Sequence, residues 1–311
     1  MKPSILFNIL LAVAAGASSV SVHAESPEFS EVFNPRIPAH TSFGGQKIDL
    51  SQTDMFERLD RELTAMAYTH GSTLLTIKRA NRLFPLMAPI LKKNGVPHDL
   101  LYLACIESTL NPRAVSGAKA AGLWQFMPAT GREYGLEVND YVDERFDPEL
   151  STEAACRYLK NAYNRFGNWE SAAASYNCGQ GRISSELSAQ GVGSAYELWL
   201  PEETMRYIFR LIAMKMILEN PSDYGFRLDS DQLYQPYDYR IVEVDTPVDS
   251  WADWARQNGT TYYLLREHNP WIRNKSLPNK SGKVYKVRIP TDESLSRNKK
   301  HHSVYNHNWI K

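Results

Sequence analysis

The run Asp99-Leu100-Leu101-Tyr102-Leu103-Ala104-Cys105-Ile106-Glu107-Ser108 sets the architecture of this chain. Leu100, Leu101, Leu103, Ala104 and Ile106 leave almost no polar face, so the segment is predicted to be a helix buried among other helices. Asp99 stands where an N-cap belongs, and Thr109 to Pro112 closes the far end. Two residues turn a helix by about 200°, which places Cys105 roughly opposite Glu107 and therefore in the core. Glu107 is the exception in the run. A carboxyl group on the rim of an apolar helix loses hydration on ionising, so its pKa is expected to rise and the group can serve as a general acid near neutral pH. Taken alone, it reads first as an exposed helix-end carboxylate or a structural cap.

A buried helix needs amphipathic neighbours, and the flanking sequence supplies them. From Asp54, the residues Phe56, Leu59, Leu63, Met66 and Ala67 share one helical face. Leu74 to Leu91 gives a second such stretch, stopped by Gly95-Val96-Pro97. Downstream, Asp147-Pro148 opens a helix that runs through Leu150, Ala154, Ala155, Tyr158, Leu159 and Ala162 to Gly167. Asn168 caps another over Trp169 to Asn177, ended by Gly179, and Pro201-Glu202-Glu203 starts one that reaches Asn220-Pro221. After Pro236, Tyr239 to Val244 alternates like a strand, two short helical stretches follow, and Val284 to Pro290 alternates again. The fold class is thus mainly α, with a helical domain over residues 54–235 followed by a small α+β unit, strand-helix-helix-strand, over 236–291. Residues 25–53, rich in Pro and Gly, read as an extended lead-in, and 292–311 as a polar tail.

Composition narrows the function classes. The 311 residues are 23% charged and 43% hydrophobic, which fits a globular chain and excludes a disordered polyelectrolyte. Lys plus Arg and Asp plus Glu number 35 each, so overall charge gives no reason to expect nucleic acid as a partner. The stretch from Pro247 onward is basic, which suits either an anionic polymer or a solvated face. Lys2, the apolar run Ile5 to Ala15 and Val22-His23-Ala24 read as a secretory signal over residues 1–24. No later stretch approaches a membrane-spanning length, so an exported protein of the periplasm or cell envelope is expected. The absence of a cysteine before Cys105 argues against a lipid anchor at the signal junction. Cys105, Cys156 and Cys178 allow buried thiols or one disulfide, with the pairing open. Phosphate-binding Gly-rich loops, H-E-x-x-H and C-x-x-C are absent, and the group His301, His302 and His307 lies in the polar tail, so no metal site is expected.

Two further segments change the reading of Glu107. Gly122-Leu123-Trp124-Gln125-Phe126-Met127-Pro128-Ala129-Thr130-Gly131 gathers an indole, an amide and a thioether between glycines. Ala174-Ser175-Tyr176-Asn177-Cys178-Gly179 ends a helix with a phenol and an amide. Such groups suit a sugar, which takes apolar contact on its faces and hydrogen bonds at its edges. With Ile106-Glu107-Ser108, Tyr176-Asn177 and Glu203-Thr204-Met205-Arg206-Tyr207-Ile208 in this order, the chain resembles the lytic transglycosylases that carry a soluble-lytic-transglycosylase catalytic domain, in particular the membrane-bound lytic murein transglycosylase D type. The resemblance covers about residues 90–220.

That resemblance implies a lysozyme-like helical domain acting on peptidoglycan glycan strands. It implies cleavage of the β-1,4 bond between N-acetylmuramic acid and N-acetylglucosamine, with 1,6-anhydro ends formed by the muramic C6 hydroxyl. Glu107 is then the single acid and base, which agrees with the lack of a second motif carboxylate. Ser116, Gln125 and Met127 are implied as contacts to sugar and peptide, and Ser108 lies beside the acid and orients it or the helix end. Tyr176 and Asn177 would line the opposite wall, and Tyr207 would close the pocket. Ser175 and Cys178 depart from the family's usual small residues. No metal or organic cofactor is implied. The C-terminal unit resembles a LysM module at Asp245-Thr246, Trp251 to Ala255, Leu264-Leu265, Asn269-Pro270 and Ile289-Pro290, implying glycan binding, although Val244 replaces the usual Gly. A hydrolytic muramidase and a non-catalytic wall-binding protein are the alternatives; nothing in the sequence fixes the oligomeric state.

Overall fold

The computed structural model describes residues 33–297 and 302–311; the secretory signal expected over 1–24 lies outside them. The first element corrects the extended lead-in. Strands β1 (His40–Phe43) and β2 (Gln46–Asp49) form an antiparallel hairpin, Phe43 facing Gln46, closed by Gly44 and Gly45 at φ +59° and +83°. Both turn residues need positive φ, which Gly supplies without strain. Phe43, Ile48 and Leu50 are buried against the helices.

Helices α1 (Thr53–Tyr68), α2 (His70–Lys93), α3 (Leu101–Ser108), α4 (Pro128–Glu133), α5 (Pro148–Phe166), α6 (Trp169–Cys178), α7 (Gln180–Gln190) and α8 (Glu202–Glu219) build the main core. As its sequence demands, α3 is enclosed, with Leu101 to Cys105 all buried between α2 and α8. The caps expected of Asp147 and Asn168 form: Asp147 accepts the N–H groups of Glu149 and Leu150, and Asn168 that of Ser171. Asp99 does otherwise. Its carboxylate accepts the N–H of Gly44 at 2.9 Å and pairs with Lys215 on α8, so it pins the hairpin rather than capping α3. Phe56 and Leu150, expected on apolar faces, are exposed. Helix α7 has a single buried residue, Ile183, and so carries no apolar period to betray it.

The C-terminal unit has the expected order: β3 (Tyr239–Val244), α9 (Trp251–Gln257), α10 (Tyr262–His268) and β4 (Tyr285–Pro290), with β3 and β4 antiparallel from Tyr239↔Pro290 to Val244↔Tyr285. Trp251, Leu265, Trp271, Ile272 and Val287 fill its own small core, joined by Val142 from the helical part. A last helix, α11 (Asp292–Leu295), follows β4. Residues 34–311 form one compact unit.

The polar tail is also corrected. Val304, Tyr305, Trp309 and Ile310 return to the helical core, where the Trp309 indole is buried and donates to the Leu218 carbonyl. A few apolar residues among polar ones make no periodic pattern, yet one buried Trp is a large apolar contribution. All three cysteines are free thiols; Cys105 and Cys156 are buried, and burial pushes the Cys156 thiol up to about 12. Among the described residues no helix is long and apolar enough to cross a membrane, and no group of His, Cys, Asp and Glu could hold a metal ion.

Candidate active site

Glu107 sits in the last turn of α3, half-buried where the helix emerges from the core. Burial raises its carboxyl above the ordinary carboxylate range, opposed by a hydrogen bond from Tyr207 and the charge of Arg210, and assisted by Glu203. The Tyr207 hydroxyl, carried inward by α8, donates to Glu107 Oε1 at 2.5 Å. Its own pKa is driven well up, first by burial and then by Glu107, so it remains a proton donor. A carboxyl whose pKa is raised by burial, held in one orientation beside a neutral phenol, is an arrangement that suits a general acid.

Thr109 and Leu110 both adopt positive φ, which turns the chain sharply out of α3. The loop that follows, from Ala114 to Met127, is folded on itself by bridges Val115↔Ala121 and Ala121↔Phe126 and is tied to the helix end by Ser108. Its carbonyls are tied one by one. The Ser108 hydroxyl lies within 3.0 Å of the Ala104 and Leu123 carbonyls, the Tyr176 hydroxyl donates to Trp124 O at 2.8 Å, and the Gln125 amide donates to Gly122 O at 2.9 Å. Arg145, itself buried, donates through Nη1 to Lys119 O and Phe126 O at 2.8 Å each and pairs bidentately with Asp143. The Trp124 indole donates to Thr152 Oγ1 at 2.9 Å. Gly122, at φ +78°, is obligatory: a Cβ there would lie 1.9 Å from the Arg145 carbonyl oxygen.

The expected site residues fall into two groups. Glu107, Tyr207 and Tyr176 are gathered, with Glu107 acting electrostatically on both phenols. Asn177 closes the same wall, accepting the Thr204 hydroxyl at 2.9 Å and so linking α6 to α8. Ser108 is buried and its hydroxyl lies on the Ala104 and Leu123 carbonyls, so it positions the helix end and loop. Ser116 and Met127 lie on the loop's exposed rim; the Ser116 hydroxyl accepts the Ala120 N–H at 3.0 Å, and Met127 is 43% exposed. Gln125 has its amide nitrogen turned to the backbone and its residue at φ +48°. Ser175, one of the departures, is buried with its hydroxyl on the Ala172 carbonyl, and Cys178 borders Arg182. Sequence reading missed Asp143, Arg145, Thr152 and Thr204. A buried ion pair in irregular chain leaves no periodic signal; only its proximity to the Asp147-Pro148 cap marks it.

Sequence comparison now defines the class. Residues 86–198 match the transglycosylase SLT domain, and residues 240–293 match the soluble lytic transglycosylase C-terminal LysM-like domain. The chain therefore carries an SLT domain followed by an SLT-type LysM-like domain. In particular, it is 32% identical over 250 residues to membrane-bound lytic murein transglycosylase D of Escherichia coli, an alignment covering 78% of this chain and 53% of that relative. The peptidoglycan transglycosylase gp16 of Escherichia phage T7 is 37% identical over 38% of this chain and 9% of its own, and the soluble lytic murein transglycosylase of Escherichia coli is 33% identical over 26% and 13%. The chain thus spans about half the length of the first of these relatives. The 70 kDa soluble lytic transglycosylase of Escherichia coli matches in structure over 52% of this chain and 30% of its own, with 21% identity and a TM-score of 0.39.

Proposed function

We propose that this protein is a peptidoglycan lytic transglycosylase acting on the β-1,4 bond between N-acetylmuramic acid and N-acetylglucosamine. The observation that carries the reading is the half-buried Glu107, its pKa raised by burial and its carboxyl held by Tyr207 next to the braced Gly122–Met127 loop. Protonated Glu107 delivers its proton to the glycosidic oxygen as the C1–O bond breaks, and the substrate's N-acetyl group supports the anomeric carbon. The resulting Glu107 carboxylate accepts the proton of the muramic C6 hydroxyl as that oxygen bonds to C1, which closes the 1,6-anhydro ring and restores the acid. Tyr207 holds the carboxyl in both states. Gln125, Met127 and Ser116 meet the sugar and peptide from the loop side, and Tyr176 and Asn177 bound the opposite wall. Export through the signal over residues 1–24 places this chemistry in the periplasm or cell envelope, and the LysM-like unit contributes wall affinity.

A second reading is hydrolysis. Glu203, an exposed carboxylate in the first turn of α8, is near enough to raise the pKa of Glu107, and a carboxylate there could activate water. Mass analysis of cleaved tetrasaccharide separates the two: anhydro products are one water lighter than reducing ones. Retained anhydro formation by Glu203→Gln supports the first reading; reducing ends that vanish in this variant would replace it with the second.

A further inference from the structure

The C-terminal unit grips the same segment that braces the substrate loop. Val142 lies in that unit's core and bridges to Ile272, the Asp143 N–H donates to Trp271 O at 2.9 Å, and the Arg273 N–H donates to Tyr141 O at 2.9 Å. Farther along, Arg288 on β4 pairs with Asp147 at 2.6 Å, both side chains being buried, and Lys283 bonds Glu137 and Glu144. From this gripped segment two arms reach the loop. Asp143 orients Arg145, which holds the Lys119 and Phe126 carbonyls. Asp147 caps α5, whose first turns present Thr152 to the Trp124 indole.

On the transglycosylase reading above, we propose that Asp143 and Arg145 are positioning residues for catalysis and that the C-terminal unit acts through them, setting the Gly122–Met127 loop against Glu107. The unit is then a structural part of the catalytic site, beyond any affinity it has for the wall. A bidentate Asp–Arg pair is suited to this because its planar fork fixes direction as well as distance. With no C-terminal unit beneath it, the 137–147 segment would lose the bridge, both backbone bonds and the buried Val142 side chain together.

The test uses the full chain and a soluble tetrasaccharide of two disaccharide units, so that wall binding does not enter the rate. Arg145→Lys and Ile272→Ala perturb the brace and the grip, with Val142→Ala as a milder grip variant should Ile272→Ala fail to fold. Trp309→Ala is the control, since it loosens the same compact unit away from the segment. Amide hydrogen exchange reports on the loop, kcat on its consequence. The expected result is at least tenfold faster exchange at the Gly122 and Gln125 amides and at least tenfold lower kcat in Arg145→Lys and the grip variant, with neither change in Trp309→Ala. The double variant should lose less than the two single losses combined, because the grip acts on the loop in part through Arg145. Unchanged loop exchange in folded variants overturns the proposal, as do faster exchange without loss of kcat and equal losses in Trp309→Ala. A wild-type protein that cleaves no glycan sinks the transglycosylase reading instead, and the exchange result then still decides whether the C-terminal unit holds the loop.

Discussion

At the scale of single residues, the proposed function rests on the raised pKa of Glu107 and on the close packing around Gly122. The Tyr207 hydrogen bond favours the charged carboxylate and so lowers the Glu107 pKa, while burial raises it. Removing the phenol should therefore shift the pKa upward. In Tyr207→Phe the alkaline limb of the kcat against pH profile moves to higher pH, with kcat reduced less than in Glu107→Gln; a profile that stays in place or moves down contradicts this. Gly122→Ala brings a methyl group to 1.9 Å from a backbone oxygen at a φ of +78°. Overpacking and strain together should cost about 3 kcal/mol, read as a lower denaturant midpoint.

Elements differ in how much of them the sequence discloses. Helix α3 is legible because five apolar residues in seven can only be buried, and α5 and α6 because Asp147 and Asn168 cap them as they should. The hairpin β1–β2, α7 and the returning tail escape such reading: each buries only a few side chains, too few to set a period, and its place is fixed by distant partners such as Asp99 and Leu218. The site divides along the same line. Glu107 is conspicuous as a carboxylate on an apolar helix, whereas Arg145 meets the Lys119 and Phe126 carbonyls only when the loop folds over it. At the C-terminal end of α10, His268 has its pKa lowered to about 4 by burial and then by the charge of Arg82, against packing from Tyr237 and Tyr239. The unfolded chain takes up this proton near pH 6.5 and the folded chain only near 4. Its contribution to stability is thus complete above 6.5 and is lost as pH falls toward 4. Denaturant midpoints measured over this window should fall more steeply for the wild type than for His268→Gln; parallel curves would contradict the assignment.

For the molecule as a whole, the two cores behave as one unit because buried charges and backbone bonds cross between them. Arg288→Ala leaves buried Asp147 without its cation, which should cost about 3 kcal/mol, and because the unit is continuous the loss should appear in a single unfolding transition followed by both tryptophan emission and far-ultraviolet circular dichroism. Two separated transitions would show that the C-terminal unit unfolds by itself. On the proposed function, the same continuity would make peptidoglycan cleavage a property of the assembled site, with Glu107 as the one carboxylate that does the proton work. The most direct measurement is digestion of purified peptidoglycan by the wild-type protein and by Glu107→Gln, with the sugar ends identified by mass spectrometry. The expected result is 1,6-anhydro-muramic ends from the wild type and a loss of about 100-fold or more in the variant; reducing ends, or equal cleavage by both proteins, would overturn the proposed function.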